Sequence, residues 1–248
     1  MFQQYSMKTA TSVGVDAGLR AYFLRVYNYM ASAVLLTGLV AYFISTMAIT
    51  EQGGQMQLTS FGAALFNSPL KWVVMLAPFG LVMFLSARIH AMSQAGAQLA
   101  FWIFSIMMGV SLTSIFLIYT GESIARVFFI TSATFGLMSL YGYTTKKDLT
   151  SMGSFLIMGA LGLFVASIAN MFFQNGALSF AISVVGVLVF TGLTAYDTQN
   201  IKKIYYQLST SYDAERTLGK AAIMGALNLY MDFINIFIML MQLVGDRR

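Results

Sequence analysis

The chain has 248 residues, of which 58% are hydrophobic and 9% charged, with a mean hydropathy of +0.74 and a net charge of +5. A soluble domain carries about 25% charged residues, so this composition excludes one and defines a polytopic membrane protein. The absence of cysteine excludes disulfides, thiolate metal sites and cysteine nucleophiles, and the single His90 cannot build a histidine metal cluster.

Residues 1–21 read as a polar cytoplasmic N-terminal tail and residues 22–248 as a single transmembrane domain. Arg20 and Arg25 precede an apolar run about twice the usual signal-peptide core, without an Ala-x-Ala pattern, which predicts an uncleaved signal anchor. Charge-free apolar runs long enough to cross a bilayer predict seven spans, at residues 26–49, 69–87, 97–120, 124–143, 152–174, 177–201 and 221–244. Helices are expected, because a barrel shows alternating segments of ~10 residues.

Ten of the fourteen Lys and Arg fall in the N-terminal segment, the Arg88 loop, the Lys146-Lys147 loop and the stretch from Lys202 to Lys220. Positive loops stay inside, which predicts a cytoplasmic N-terminus and an external C-terminus, and the basic balance serves orientation instead of nucleic acid. Between the first two spans, residues 51–67 read as an external loop whose apolar patch, Phe61 to Phe66, dips into the interface. Pro78 interrupts the second span about ten residues before Arg88 and predicts a kink.

Small residues in the middle spans (Ser105, Gly109, Ser111 and Thr113, Gly159 with Gly162, Gly186 with Gly192) predict close helix contacts. The eighteen methionines are scattered and act as flexible apolar filler.

Of the nine acidic residues, only Asp197 and Asp232 fall within apolar helical stretches. A charge there costs about 2.5–3.5 kcal/mol and marks function by default. Asn228, Asp232, Asn235 and Gln242 project near one face of the last span, and Thr194, Asp197, Thr198 and Asn200 form a polar end on the sixth. If the carboxyls meet, they titrate as one coupled unit, able to share a proton or help coordinate a hard cation such as Ca2+. Counted from the predicted span ends, however, Asp197 lies ~8 Å and Asp232 ~16 Å deep. Arg88, at the same end of the second span, is the candidate counter-charge.

Three stretches carry a resemblance: Lys146-Lys147-Asp148-Leu149, Ala195-Tyr196-Asp197-Thr198-Gln199-Asn200-Ile201-Lys202, and Leu229-Tyr230-Met231-Asp232-Phe233-Ile234-Asn235-Ile236. The chain resembles bacterial members of the Bax inhibitor-1 (transmembrane Bax inhibitor motif) family. That resemblance implies an all-α polytopic membrane protein, a seven-transmembrane-helix bundle with the seventh helix central, in a bacterial cell inner membrane. It implies a pH-sensitive calcium leak gated by the Asp197 and Asp232 pair, with Arg88 contacting the first aspartate and no resident cofactor. The alternative is a non-conducting partner that modulates a membrane-bound AAA protease. An enzyme is not expected: intramembrane aspartyl proteases carry Gly-x-Gly-Asp and Pro-Ala-Leu motifs, where this chain has Tyr230-Met231-Asp232 and prolines followed by Leu70 and Phe79.

Overall fold

A computed structural model of the chain describes residues 2–52, 55–89 and 91–248, with the backbone alone for residues 2–16, 51, 52, 55 and 56. His90 and the side chains of the tail up to Asp16 therefore lie outside the described residues. The elements in chain order are α1 (Phe2–Ala48), β1 (Ile49–Gln52), β2 (Gln55–Leu58), α2 (Ser60–Phe66), α3 (Leu70–Arg88), α4 (Gln94–Ile118), α5 (Gly121–Thr144), α6 (Thr150–Phe173), α7 (Gly176–Leu208) and α8 (Ala214–Val244). Seven of the helices are long and apolar enough to span a membrane, in register with the seven predicted runs.

Local chemistry sets the boundaries. Thr59, Ser93 and Thr120 accept from the backbone N–H three residues on, at the starts of α2, α4 and α5. Asn175 accepts from Ala177 and Leu178 at the start of α7, which satisfies donors that a helix start leaves open. Gln174 ends α6 in a left-handed conformation, φ 48°.

The structure departs from the sequence expectation at three boundaries. The polar tail is helical and continuous with the first span in α1. α7 runs on to Leu208 and α8 begins at Ala214, because hydropathy marks the membrane edge while the backbone continues until Ser209 to Asp213 turn it. Residues 51–67, expected as a loop, contribute to an antiparallel hairpin of β1 and β2 followed by α2. Pro78 lies inside α3 without ending it.

α8 is the most buried of the seven spans and α6 the least. α7, α1, α5 and α4 pack around α8, whereas α3 packs mainly on α4, and α6 mainly on α7. Where small residues were expected to allow contact, Gly109 faces Thr37 and Val40 of α1, Gly186 faces Met239 of α8 and Gly192 faces Leu156 of α6. Gly162 meets nothing within 4 Å among the described residues, and close approaches on α7 include Gly142 of α5 against the Ala195 backbone and Gly153 of α6 against the Tyr196 ring.

At the end of α8 the chain folds back onto the α4–α5 corner. Asp246 O accepts from Thr120 N, Asp246 N donates to Ser123 Oγ, and Arg248 N donates to Ile118 O. Arg126 reaches Asp246 at 2.7 Å and the Val244 carbonyl at 3.3 Å.

Candidate functional site

α7 and α8 are consecutive antiparallel helices joined by residues 209–213. Their register is set by Gly186 against Met239 and by the Ser183 hydroxyl, which donates to Gln242 Oε1 at 2.7 Å. Counting along both helices from these contacts places Asp197 and Asp232 about one turn, ~5 Å, apart along the axes. Side chains on a helix lean toward its N-terminus. In this antiparallel pair Asp197 leans away from the turn and Asp232 leans toward it, so the two carboxyls close the remaining offset and interact directly. The depth mismatch counted from span ends shrinks to that one turn because those ends were not the helix ends.

Asp232 is buried, at 4% exposure, and its Oδ2 has no hydrogen-bond donor among the described residues. Asp197 is half-buried. Around the pair the packing is apolar, with Phe233 set edge-on against Phe135 and Phe128 of α5 at 5.7 and 5.6 Å. Among the described residues, no group of three or more His, Cys, Asp or Glu converges. The pair alone thus offers four carboxyl oxygens, and a cation held there would take its remaining ligands from water or amides.

Among the described residues no ion pair joins Arg88 to either aspartate. Arg88 is exposed at the end of α3, and the only ion pairs among the described residues are Arg126–Asp246 and Lys203–Asp148. Its position at a span end suggested proximity, but α3 packs mainly on α4. The polar face of α8 is placed at the rim of the packed surface. Asn228 is exposed, Asn235 is half-buried and donates to its own helix at Met231 O, and Gln242 is exposed while bonded to Ser183. At 100° per residue, these three sit 40–80° to one side of Asp232, which occupies the inner edge of the arc. Asn200 is half-buried on α7.

Two supports were not singled out from the sequence. Tyr230, fully buried two residues before Asp232, bonds Thr37 of α1 at 2.8 Å, and Thr37 donates to Ser105 O of α4 at 2.9 Å. Because the Thr37 hydrogen is committed to Ser105, the tyrosine hydroxyl is the donor to Thr37. Gln199, two residues after Asp197, accepts from Leu149 N and donates to Lys147 O. Lys203 binds Asp148 at 2.6 Å. Hydrogen bonds from Lys203 and Thr150 hold the exposed Asp148 carboxyl below the usual range, at about 2. The stretch Lys146 to Leu149 is therefore docked onto the stretch that carries Asp197.

An all-helical membrane protein whose innermost helix bears a buried carboxyl, closed against a second carboxyl on the preceding helix, is the class this geometry defines. The sequence profile of the family described as inhibitor of apoptosis-promoting Bax1 matches residues 19–248, and the chain belongs to that Bax inhibitor-1 family. It is 45% identical to a protein of Rickettsia prowazekii, over 97% of this chain and 95% of that one. It is 41% identical to inner membrane protein YbhL of Escherichia coli strain K12, over 94% of each. It is also 33% identical to protein YrjE of Lactococcus lactis, over 92% of each.

Proposed function

We propose that the chain is a pH-sensitive calcium leak of a bacterial inner membrane, gated by protonation of the Asp197 and Asp232 pair. The contact between the two carboxyls inside the bundle is the observation that carries this reading. A hydrogen bond between two carboxyls needs a proton between them. Its loss leaves two anions touching in a poorly solvated site, so the two protonation states favour different separations of α7 and α8.

The accessible polar stripe from Asn228 to Gln242 extends for ~21 Å along α8 beside Asp232 and supplies oxygen ligands suited to a hard cation. The inner-membrane setting is supported by the name of the YbhL relative. The distribution of Lys and Arg supports a cytoplasmic N-terminus and an external C-terminus.

The test is Ca2+ flux in liposomes across pH 6 to 8, for wild type and for Asp197→Asn combined with Asp232→Asn. The wild-type flux is expected to vary with pH and the double variant to lose that variation while keeping its fold. Equal pH dependence in both removes the pair from gating. Flux no greater than in protein-free liposomes rejects the leak itself and leaves the non-conducting partner of a membrane-bound AAA protease.

A further inference from the structure

A shallow groove of about 480 Å³ lies between α1 and α4 on the lipid-facing surface, lined by Leu24, Arg25, Asn28, Tyr29 and Ser32 of α1 and Trp102 of α4. α1 and α4 run parallel: Tyr29 meets Phe101, Thr37 bonds Ser105, and Gly109 faces Val40. This register sets Arg25 level with the start of α4, at the membrane boundary, and Ser32 about 10 Å further in.

Arg25, Asn28 and Ser32 recur at intervals of three and four, so they form one polar stripe along a membrane span. All three are exposed. The Ser32 hydroxyl is satisfied by its own helix, at Asn28 O. Among the described residues the Arg25 guanidinium and the Asn28 amide have no hydrogen bond or ion pair.

Polar groups facing lipid must be satisfied by something. A lone interfacial arginine can reach headgroups by itself. A stripe that continues for two turns below it, walled by Tyr29 and Trp102, spans the polar layer of a leaflet, roughly 5–8 Å thick, and reaches the glycerol level beneath it. The rings suit the same boundary, where amphipathic aromatics collect.

We infer that this groove binds the headgroup of an anionic phospholipid. The Arg25 fork takes the phosphate, Asn28 donates to the phosphate or glycerol oxygens, and Trp102 and Tyr29 flank the glycerol. The cationic groove on a bilayer-facing surface complements an anionic lipid of the leaflet that it faces.

Native mass spectrometry of the full chain in detergent, titrated with phosphatidylglycerol or phosphatidylcholine, tests this. One phosphatidylglycerol is expected to bind more tightly than phosphatidylcholine, and Arg25→Gln is expected to weaken it ~10-fold. Asn28→Leu weakens the same lipid by a smaller factor. Arg20→Gln, on the same helix but outside the groove, leaves it unchanged. The proposal is overturned if Arg25→Gln retains wild-type affinity, if Arg20→Gln loses as much, or if inorganic phosphate displaces the lipid, which would make the groove a site for a free anion. Unchanged lipid binding in both groove variants would assign the stripe to water or to a partner helix.

Discussion

Tyr230 shows how a residue can matter to the site without touching it. Its hydroxyl joins α8 to α1 through Thr37, and Thr37 joins α1 to α4 through Ser105, so three helices are fixed within one turn of Asp232. Tyr230→Phe keeps the ring contacts with Phe101 and Phe104 and removes one buried donor. A loss of about 1 kcal/mol in unfolding stability is expected, because Thr37 keeps its bond to Ser105. Thermal unfolding in detergent checks this, and an unchanged midpoint would show that the hydroxyl carries no net stabilisation. From the sequence Tyr230 is simply one more aromatic in an apolar run. Its partner Thr37 lies 193 positions away on α1, Thr37 in turn bonds Ser105 of α4 another 68 positions off, and no local pattern announces either bond.

At the scale of helices, the position of the carboxyl pair follows from how closely α5, α6 and α8 approach α7. Gly142 lets α5 come against the backbone of Ala195, two residues from Asp197. Gly142→Ala puts a methyl group into backbone atoms that cannot move aside, and a destabilisation of about 1–3 kcal/mol is expected. Gly136→Ala, on the same helix, meets nothing within 4 Å. It should be neutral or stabilise by up to ~1 kcal/mol through helix propensity. Unfolding of the two variants side by side makes the comparison, and equal effects would mean that α5 does not depend on the close approach.

The hydropathy pattern made the spans legible, because burial in a bilayer imposes length and apolarity on each one. It left the helix ends unread, since Lys202, Lys203 and Tyr205 are compatible with a helix that leaves the membrane. The hairpin is hidden in the sequence for a different reason. β1 and β2 flank Gly53-Gly54, a dipeptide typical of two-residue turns, inside a stretch whose Gly and Gln content reads as loop. Both aspartates were legible, because charge in an apolar run is conspicuous. The place of Arg88 was not, because depth along a span says nothing about which helix lies beside it.

For the whole molecule, the clamp at Asp148 confines one pH response to strong acid. Asp148 has its carboxyl held at about 2 by Lys203 and Thr150, against an ordinary value of 3.8. A depressed folded-state value means that its contribution is fully present above pH ~4 and is lost as pH falls toward 2. The docking of residues 145–149 onto α7 is therefore expected to be constant from pH 6 to 8 and to loosen only in strong acid. Limited proteolysis of that segment across pH, with an acid-active protease for the low range, reads this directly. Loosening near neutral pH would implicate a group other than Asp148. A pH response of flux between 6 and 8 must accordingly arise elsewhere than at this clamp.

The fold-back after α8 also limits how the molecule can move. One end of α8 is tied to α7 through residues 209–213, and the other is fastened to the α4–α5 corner through Thr120, Ser123 and Ile118. A rod pinned at both ends cannot slide along its length; it can only twist or bow, and bowing displaces its middle most. Asp232 lies within one turn of the midpoint of α8. The carboxyl therefore sits where a small bend in the helix produces the largest sideways displacement, while both ends stay where they are.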